Sequence, residues 1–219
     1  MNSTQTYSPF ESTFRAVRPE EVPAEFALQF LHSPDDDFDA VLTGHMDVWY
    51  QPKWLWPLYW LLKQTGILVC EAGEGVPVEL RVRAGREIDG RPVHFWDRTF
   101  RYRRERHFNT ILIYDADHGE VGDFVGKWQT VYLIWQARFE LPGRFTLDTK
   151  AVALHWRGRY LWLPNWLWSL VFGVVDFEQK ASGKGQTELE LIIRHPWFGP
   201  VFGCQGIFAV SNEPKVTNG

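Results

Sequence analysis

Cysteine is scarce in this chain: 219 residues contain two, Cys70 and Cys204. A disulfide framework is excluded as the organising device, and a reducing compartment fits. An excess of basic residues is also missing. The net charge is −4, which argues against a nucleic-acid partner, since such a partner calls for a basic face. The one local basic run, Arg101, Arg103, Arg104, Arg106 and His107, reads as the wet face of a strand. No apolar run reaches the ~20 residues of a membrane-spanning helix. The longest uncharged stretch, Tyr160 to Val175, is interrupted by Pro164 and Asn165. Met1 to Glu11 lacks the basic segment and apolar core of a secretory signal, so a cytoplasmic location is expected. Catalytic signatures are missing too: no Gly-x-Ser-x-Gly, no phosphate-binding P-loop, no His-Glu-x-x-His. The seven histidines form no i, i+4 pair and the cysteines lie far apart. No metal and no cofactor is expected.

What the chain has instead is tryptophan. Twelve occur, half of them in two apolar bursts. One is Trp54-Leu55-Trp56-Pro57-Leu58-Tyr59-Trp60-Leu61-Leu62, and the other runs from Tyr160 through Trp162, Trp166 and Trp168 to Phe172. Tryptophan brings a large apolar area and one N–H that needs a partner. Such clustering implies an aromatic cavity for an apolar ligand, or a face that leaves water.

The length suits one domain. Residues 1–18 read as a flexible arm, 19–210 as a single β-rich domain and 211–219 as a flexible tail. Phe26, Phe30 and Leu31 recur at helical spacing in 24–32. From Phe38 onward short strands dominate. Val78, Leu80 and Val82 alternate with Glu79, Arg81 and Arg83, the mark of a half-buried strand. Trp54–Thr65 is apolar nearly all round and ends at Gly66, which predicts a buried helix with a glycine cap. Pro164–Phe172 repeats the device, with Gly173 beyond it. The expected fold is mainly β: an antiparallel, partly open barrel or strongly bent sheet of about eight to ten strands, with two or three short helices.

Three places set polar groups among apolar ones. In Leu42–Trp49, alternation puts His45 and Asp47 on one strand face, where they could share a cavity and move a proton. A solvent-facing polar row is the plainer alternative. In Phe95–Phe100, Trp96, Arg98 and Phe100 share a face. Arg98 could fix a ligand carbonyl or carboxylate, or pair inside with Asp97 or Glu178. Glu178 follows the second aromatic burst. A desolvated carboxyl there could work as an acid or base, or serve as the buried partner of Arg98 or Arg157.

Leu42–Trp49, the Trp96-x-Arg98-x-Phe100 element, Leu163-Pro164 with Leu167, and the closing stretch from His195-Pro196-Trp197-Phe198-Gly199 through Gly203 and Gly206 to Phe208 resemble the domain-of-unknown-function family 4166 over roughly residues 24–210. The resemblance implies a fold group without an established activity. Members often follow a saccharopine-dehydrogenase-like reductase, stand alone or join a membrane segment, so a separately encoded reductase is an implied partner. The family pattern also implies an aromatic hydroxyl, usually tyrosine, between Gly203 and Gly206, where this chain has Cys204.

Three functional readings follow. The first is a barrel that encloses an isoprenoid, polyketide or acyl chain. Trp49, Trp54, Trp56, Trp60, Trp96, Arg98, Trp162, Trp166, Trp168 and Cys204 would contact the ligand. The second is a cofactor-independent isomerase or cyclase in that cavity, with Asp47, Glu178 and His45 handling protons. The third is a Trp-rich module that docks on a membrane or a protein.

Overall fold

A computed structural model describes residues 8–68, 71–87 and 90–215. Cys70 and Asp89 lie outside the described residues. Eleven strands form one antiparallel sheet: β1 (Phe38–Tyr50), β2 (Gly73–Arg86), β3 (Pro92–Arg101), β4 (Glu105–Asp115), β5 (Glu120–Val125), β6 (Val131–Glu140), β7 (Arg144–Trp156), β8 (Arg159–Leu163), β9 (Val174–Gly183), β10 (Gln186–His195) and β11 (Gly199–Pro214). The order is β6-β5-β4-β3-β2-β1-β11-β10-β9-β7-β8, and β6 also pairs with β7. That last ladder closes ten strands into a barrel, which leaves them no free edge. β8 is the extra strand. It takes over the edge of β7 at residues 152–156, beyond the stretch 144–148 that pairs with β9.

Alternation along each strand decides which side chains enter the barrel. Val78, Leu80 and Val82 of β2 are buried, while Arg81 and Arg83 turn outward to Asp39, Glu213 and Asp97. Two glycines on facing strands, Gly44 and Gly206, let β1 and β11 approach closely. A Cβ at either position would run into the partner's backbone carbonyl, Ile207 or His45.

The helices are α1 (Glu11–Phe14), α2 (Ala24–Phe30), α3 (Trp56–Thr65) and α4 (Asn165–Phe172). α3 is capped by Gly66 in the left-handed region (φ 71°), and α4 lies between its caps Pro164 and Gly173, as their sequences predict.

One end of the barrel is sealed. Phe26 and Phe30, four apart on α2, face inward with Phe10 and Phe14 of the preceding segment. Phe30 stacks on Phe145 of β7 at 4.2 Å, and Phe10 meets Phe30 edge-on at 5.0 Å. The buried amides of Gln29 and Gln179 are tied by reciprocal hydrogen bonds of 2.7 and 3.3 Å. The expectation of a loose arm over 1–18 therefore fails for residues 8–18, because Phe10 and Phe14 belong to the main core. The expected tail is likewise shorter, since Ser211–Pro214 extend β11 beside β1.

The opposite end is a mouth formed by the β1–β2, β3–β4, β5–β6, β7–β9 and β10–β11 connections. Backbone bonds tie them together. Lys127 N donates to Thr65 O at 2.9 Å, and His155 N donates to Thr130 O at 2.8 Å. His195 Nε2 donates to Leu170 O of α4 at 2.8 Å. Ile67, just beyond α3, and Phe172 of α4 pack here on the cluster of Val125, Val131, Val152 and Trp168.

Candidate functional site in the barrel interior

The barrel encloses a cavity of about 180 Å³. Inward positions of β1, β2 and β10 supply aliphatic wall, including Leu42, Met46, Leu80 and Leu189. The mouth contributes Leu62, Ile67, Leu68 and Phe172, and no plug phenylalanine lines the space. The volume exceeds the ~150 Å³ that accepts a benzene-sized guest and falls short of the ~300 Å³ usual for drug-sized ligands.

Polar groups on this wall are few and concentrated. Arg98 of β3, Thr110 of β4, Asp123 of β5 and Cys204 of β11 all line it. The Arg98 guanidinium lies over the Trp96 ring at 5.0 Å and the Phe108 ring at 5.1 Å. Its one hydrogen bond among the described residues goes from Nη1 to Thr110 Oγ1 at 3.3 Å. A guanidinium carries five N–H donors, so most of this one's capacity is unused. Asp123 Oδ2 accepts from Trp135 Nε1 at 3.1 Å. Asp123 Oδ1 and Trp96 Nε1 are buried without a hydrogen-bond partner among the described residues.

Burial governs the ionisation of this group. It pushes the Asp123 carboxyl up to about 6, against the opposing pull of the Arg98 charge and the Trp135 N–H. Burial lowers Arg98, with Asp123 offsetting part of the effect. The Cys204 thiol is pushed up to about 12 by burial, so it stays neutral near pH 7. A carboxyl that titrates near neutrality beside a desolvated cation can give or take a proton, or orient a ligand oxygen.

The sequence-predicted residues divide between the two faces. Trp96, Arg98 and Cys204 line the cavity. Trp168 is buried at the mouth, its Nε1 donating to Asn165 Oδ1 at 3.4 Å. Trp54, Trp56, Trp60 and Trp166 are instead exposed on the outside of the mouth, between 52% and 68%. Trp162 lies on the outer flank, its ring 5.0 Å from His118. Trp49 pairs with Gly203 in the β1–β11 ladder, and its indole occupies the space that a Cβ there would need.

His45, Asp47 and Glu178 do come together, but in an open polar groove on the outer face with Lys180, Glu188 and Glu190. Glu178 is not the partner of Arg98. Its neighbour Phe177 points inward, so alternation turns Glu178 out to Arg144 (3.0 Å) and Lys180. These cations hold its carboxyl below the usual range, the reverse of the expected desolvation. Asp47 Oδ1 accepts from Gly75 N at 2.7 Å.

Sequence reasoning missed Asp123, Thr110 and Trp135. The signal was present for one of them. Asp123 is the sole charge inside Val121–Val125 and shares strand parity with both valines.

A family model described as Domain of unknown function (DUF4166) matches residues 25–208. The uncharacterized protein YndH of Bacillus subtilis (strain 168) is 26% identical over 114 residues, covering 52% of this chain and 54% of that one. The match thus spans about half the length of the curated relative. Among solved structures, a Thermobifida fusca YX protein assigned provisionally to thioesterase II shares 12% identity over 80% of this chain and 79% of its own, with a TM-score of 0.26. At that score the likeness carries no argument.

Proposed function

The chain belongs to the DUF4166 family, a domain of unknown function, and from that premise we propose that its barrel binds a small apolar molecule bearing one oxygenated end. The observation that carries this reading is the pairing of an apolar cavity with unsatisfied polar groups on its wall. Arg98 has spare donors, and among the described residues Asp123 Oδ1 and Trp96 Nε1 lack partners, which costs free energy unless a ligand completes them: a ligand oxygen can accept from Arg98 and Trp96, and a ligand hydroxyl or a shared proton can satisfy Asp123. The apolar wall supplies affinity by burial, at ~25 cal/mol per Å². A carbonyl or carboxylate oxygen meeting Arg98 supplies orientation. An isoprenoid, polyketide or acyl fragment has this make-up. The cavity volume favours a short one, or the terminal part of a longer chain that leaves through the mouth.

Native mass spectrometry of the purified protein, searching for a co-purified apolar compound, tests the idea directly. A tryptophan-fluorescence titration with a short fatty acid and the matching hydrocarbon sharpens it. Arg98→Met should weaken the acid about tenfold or more and leave the hydrocarbon nearly unchanged. Equal affinity for both ligands in both proteins would remove Arg98 from the site.

Asp123 supports a second reading, a cofactor-independent isomerase or cyclase. A carboxyl near pKa 6 inside an aromatic and aliphatic cavity suits proton transfer to a carbon skeleton. Here Asp123 takes the place that Asp47 and Glu178 were expected to fill. Asp123→Asn should then abolish conversion of a bound ligand while its binding persists.

A further inference from the structure

The outside of the mouth carries a second feature that the cavity does not explain. Seven tryptophans are exposed there: Trp54, Trp56 and Trp60 before β2, Trp128 between β5 and β6, Trp156 at the end of β7, Trp166 on α4 and Trp197 between β10 and β11. Their exposures run from 52% to 72%. Other exposed apolar residues share this end: Phe198 lies 4.9 Å from the Trp54 ring and 6.3 Å from the Trp197 ring, and Leu61 and Val171 are open on α3 and α4. A rim of this kind is far more than scattered surface hydrophobics.

Charge says what covers it. The five mouth connections carry seven Lys or Arg and one carboxylate, Glu71, in a chain whose net charge is −4. Glu71 is already held by Lys63 and Arg106. Lys53, Arg103, Arg104, Lys127, Arg157 and Arg159 are exposed and have no carboxylate partner among the described residues. Away from the mouth most arginines are paired, as Arg81, Arg83, Arg86, Arg138 and Arg144 are.

We infer that the mouth docks on an anionic lipid surface, with the tryptophans at headgroup depth and the unpaired cations against the phosphates. Indole prefers that zone because one edge is apolar and the N–H stays wet. Lys and Arg beside it gain from the negative surface potential. No helix of the described chain is long and apolar enough to cross a membrane, and the outer wall of the barrel carries charged pairs such as Arg81–Glu213, Arg83–Asp97 and Arg144–Glu178, which suits a contact at the interface. Docking also sets the Leu62, Ile67 and Phe172 side of the cavity against the bilayer, so an apolar ligand enters from lipid without crossing water. That last step rests on the proposed ligand binding; the docking itself does not.

The test is flotation of the full chain with phosphatidylcholine vesicles, and with vesicles containing 30% phosphatidylglycerol, without added ligand. Binding about tenfold or more stronger on the anionic vesicles is expected, reduced by salt and accompanied by a blue shift of tryptophan emission. Trp56→Ser/Trp60→Ser should lose binding to both vesicles, and Arg157→Gln/Arg159→Gln should lose the anionic preference. Both variants should keep a wild-type circular dichroism spectrum and wild-type fatty-acid titration. No vesicle binding by wild type, equal binding to both compositions, or a stable dimer that hides the tryptophans would overturn the inference. Failure of docking with intact ligand titration defeats this inference alone. Docking without any ligand binding defeats the cavity reading instead.

Discussion

The two poles of the barrel use aromatic side chains in opposite ways. At the sealed pole, Phe10, Phe14, Phe26 and Phe30 interdigitate with Phe145 and are nearly or wholly buried. At the mouth, seven tryptophans keep more than half of their surface open. Charge divides in the same sense. The segment 31–37 and the connections 87–91, 116–119, 141–143 and 184–185 hold six carboxylates against two cations, whereas the mouth connections are strongly cationic. Aromatic content alone therefore does not say what is inside. At the plug, two segments supply rings that pack on each other. On α3, Tyr59 and Leu62 already use the inward face, and Trp56 and Trp60, four residues apart, are left on the other.

The sharpest way to break this contrast is to remove a plug ring. Phe30→Ala should cost ~3–5 kcal/mol in urea unfolding, because the cavity it leaves is walled by Phe10, Phe145 and Trp96 and cannot collapse. A loss below ~1 kcal/mol would show that the plug is a loose cover rather than core.

Acid should attack the same pole next. His94 is fully buried, stacks on His32 at 4.7 Å and donates Nε2–H to His32 O at 3.2 Å. Burial lowers both rings, His94 to about 3. A depressed histidine is neutral in the fold and takes a proton on unfolding. Stability is thus complete above pH 6.5 and falls as pH drops from 6.5 towards 3, by up to ~1.4 kcal/mol per pH unit for each such group. Urea midpoints measured from pH 7 to 4 should show this slope, and His94→Gln should flatten it. Asp123 acts in the other direction. Its raised pKa makes stability decline as pH climbs from about 4 through 6, so the two groups partly offset each other in that window.

A smaller effect sits between the poles. The positive charge of Arg98 holds the Asp123 carboxyl down against burial. Arg98→Met should move the Asp123 titration above about 6, followed by carboxyl carbon NMR. An unmoved titration would mean that the two groups do not sense each other across the cavity. The smallest effect belongs to the rim. Trp197→Ala should change stability by less than ~0.5 kcal/mol, since the residue is already 72% exposed. A Phe30-sized loss there would erase the distinction between the poles.

Much of this was legible in the sequence, and the failures share a cause. Alternation in Val78–Arg83 and the glycine ends of the two apolar helices located their elements, because both signals are local. Closure between β6 and β7 was not legible, since strand pairing across a barrel leaves no periodicity of its own. Phe10 and Phe14 sat in a polar stretch and found burial only against residues distant in sequence, on α2, β3, β6 and β7. The outward turn of Glu178 could have been read from Phe177, its inward neighbour, by strand parity alone. The exposed indoles could not. A helix apolar all round has no amphipathic face to announce which side meets the protein.

The final strand has a practical consequence. β11 ends opposite the start of β1 at the sealed pole, where Lys215 N donates to Asp37 O at 3.0 Å. A tether or dye joined after that point leaves on the far side from the tryptophan rim. Molecules immobilised through it would present every mouth to solution in one orientation, and a distance probe placed there would read the standoff of the barrel from whatever surface the rim meets.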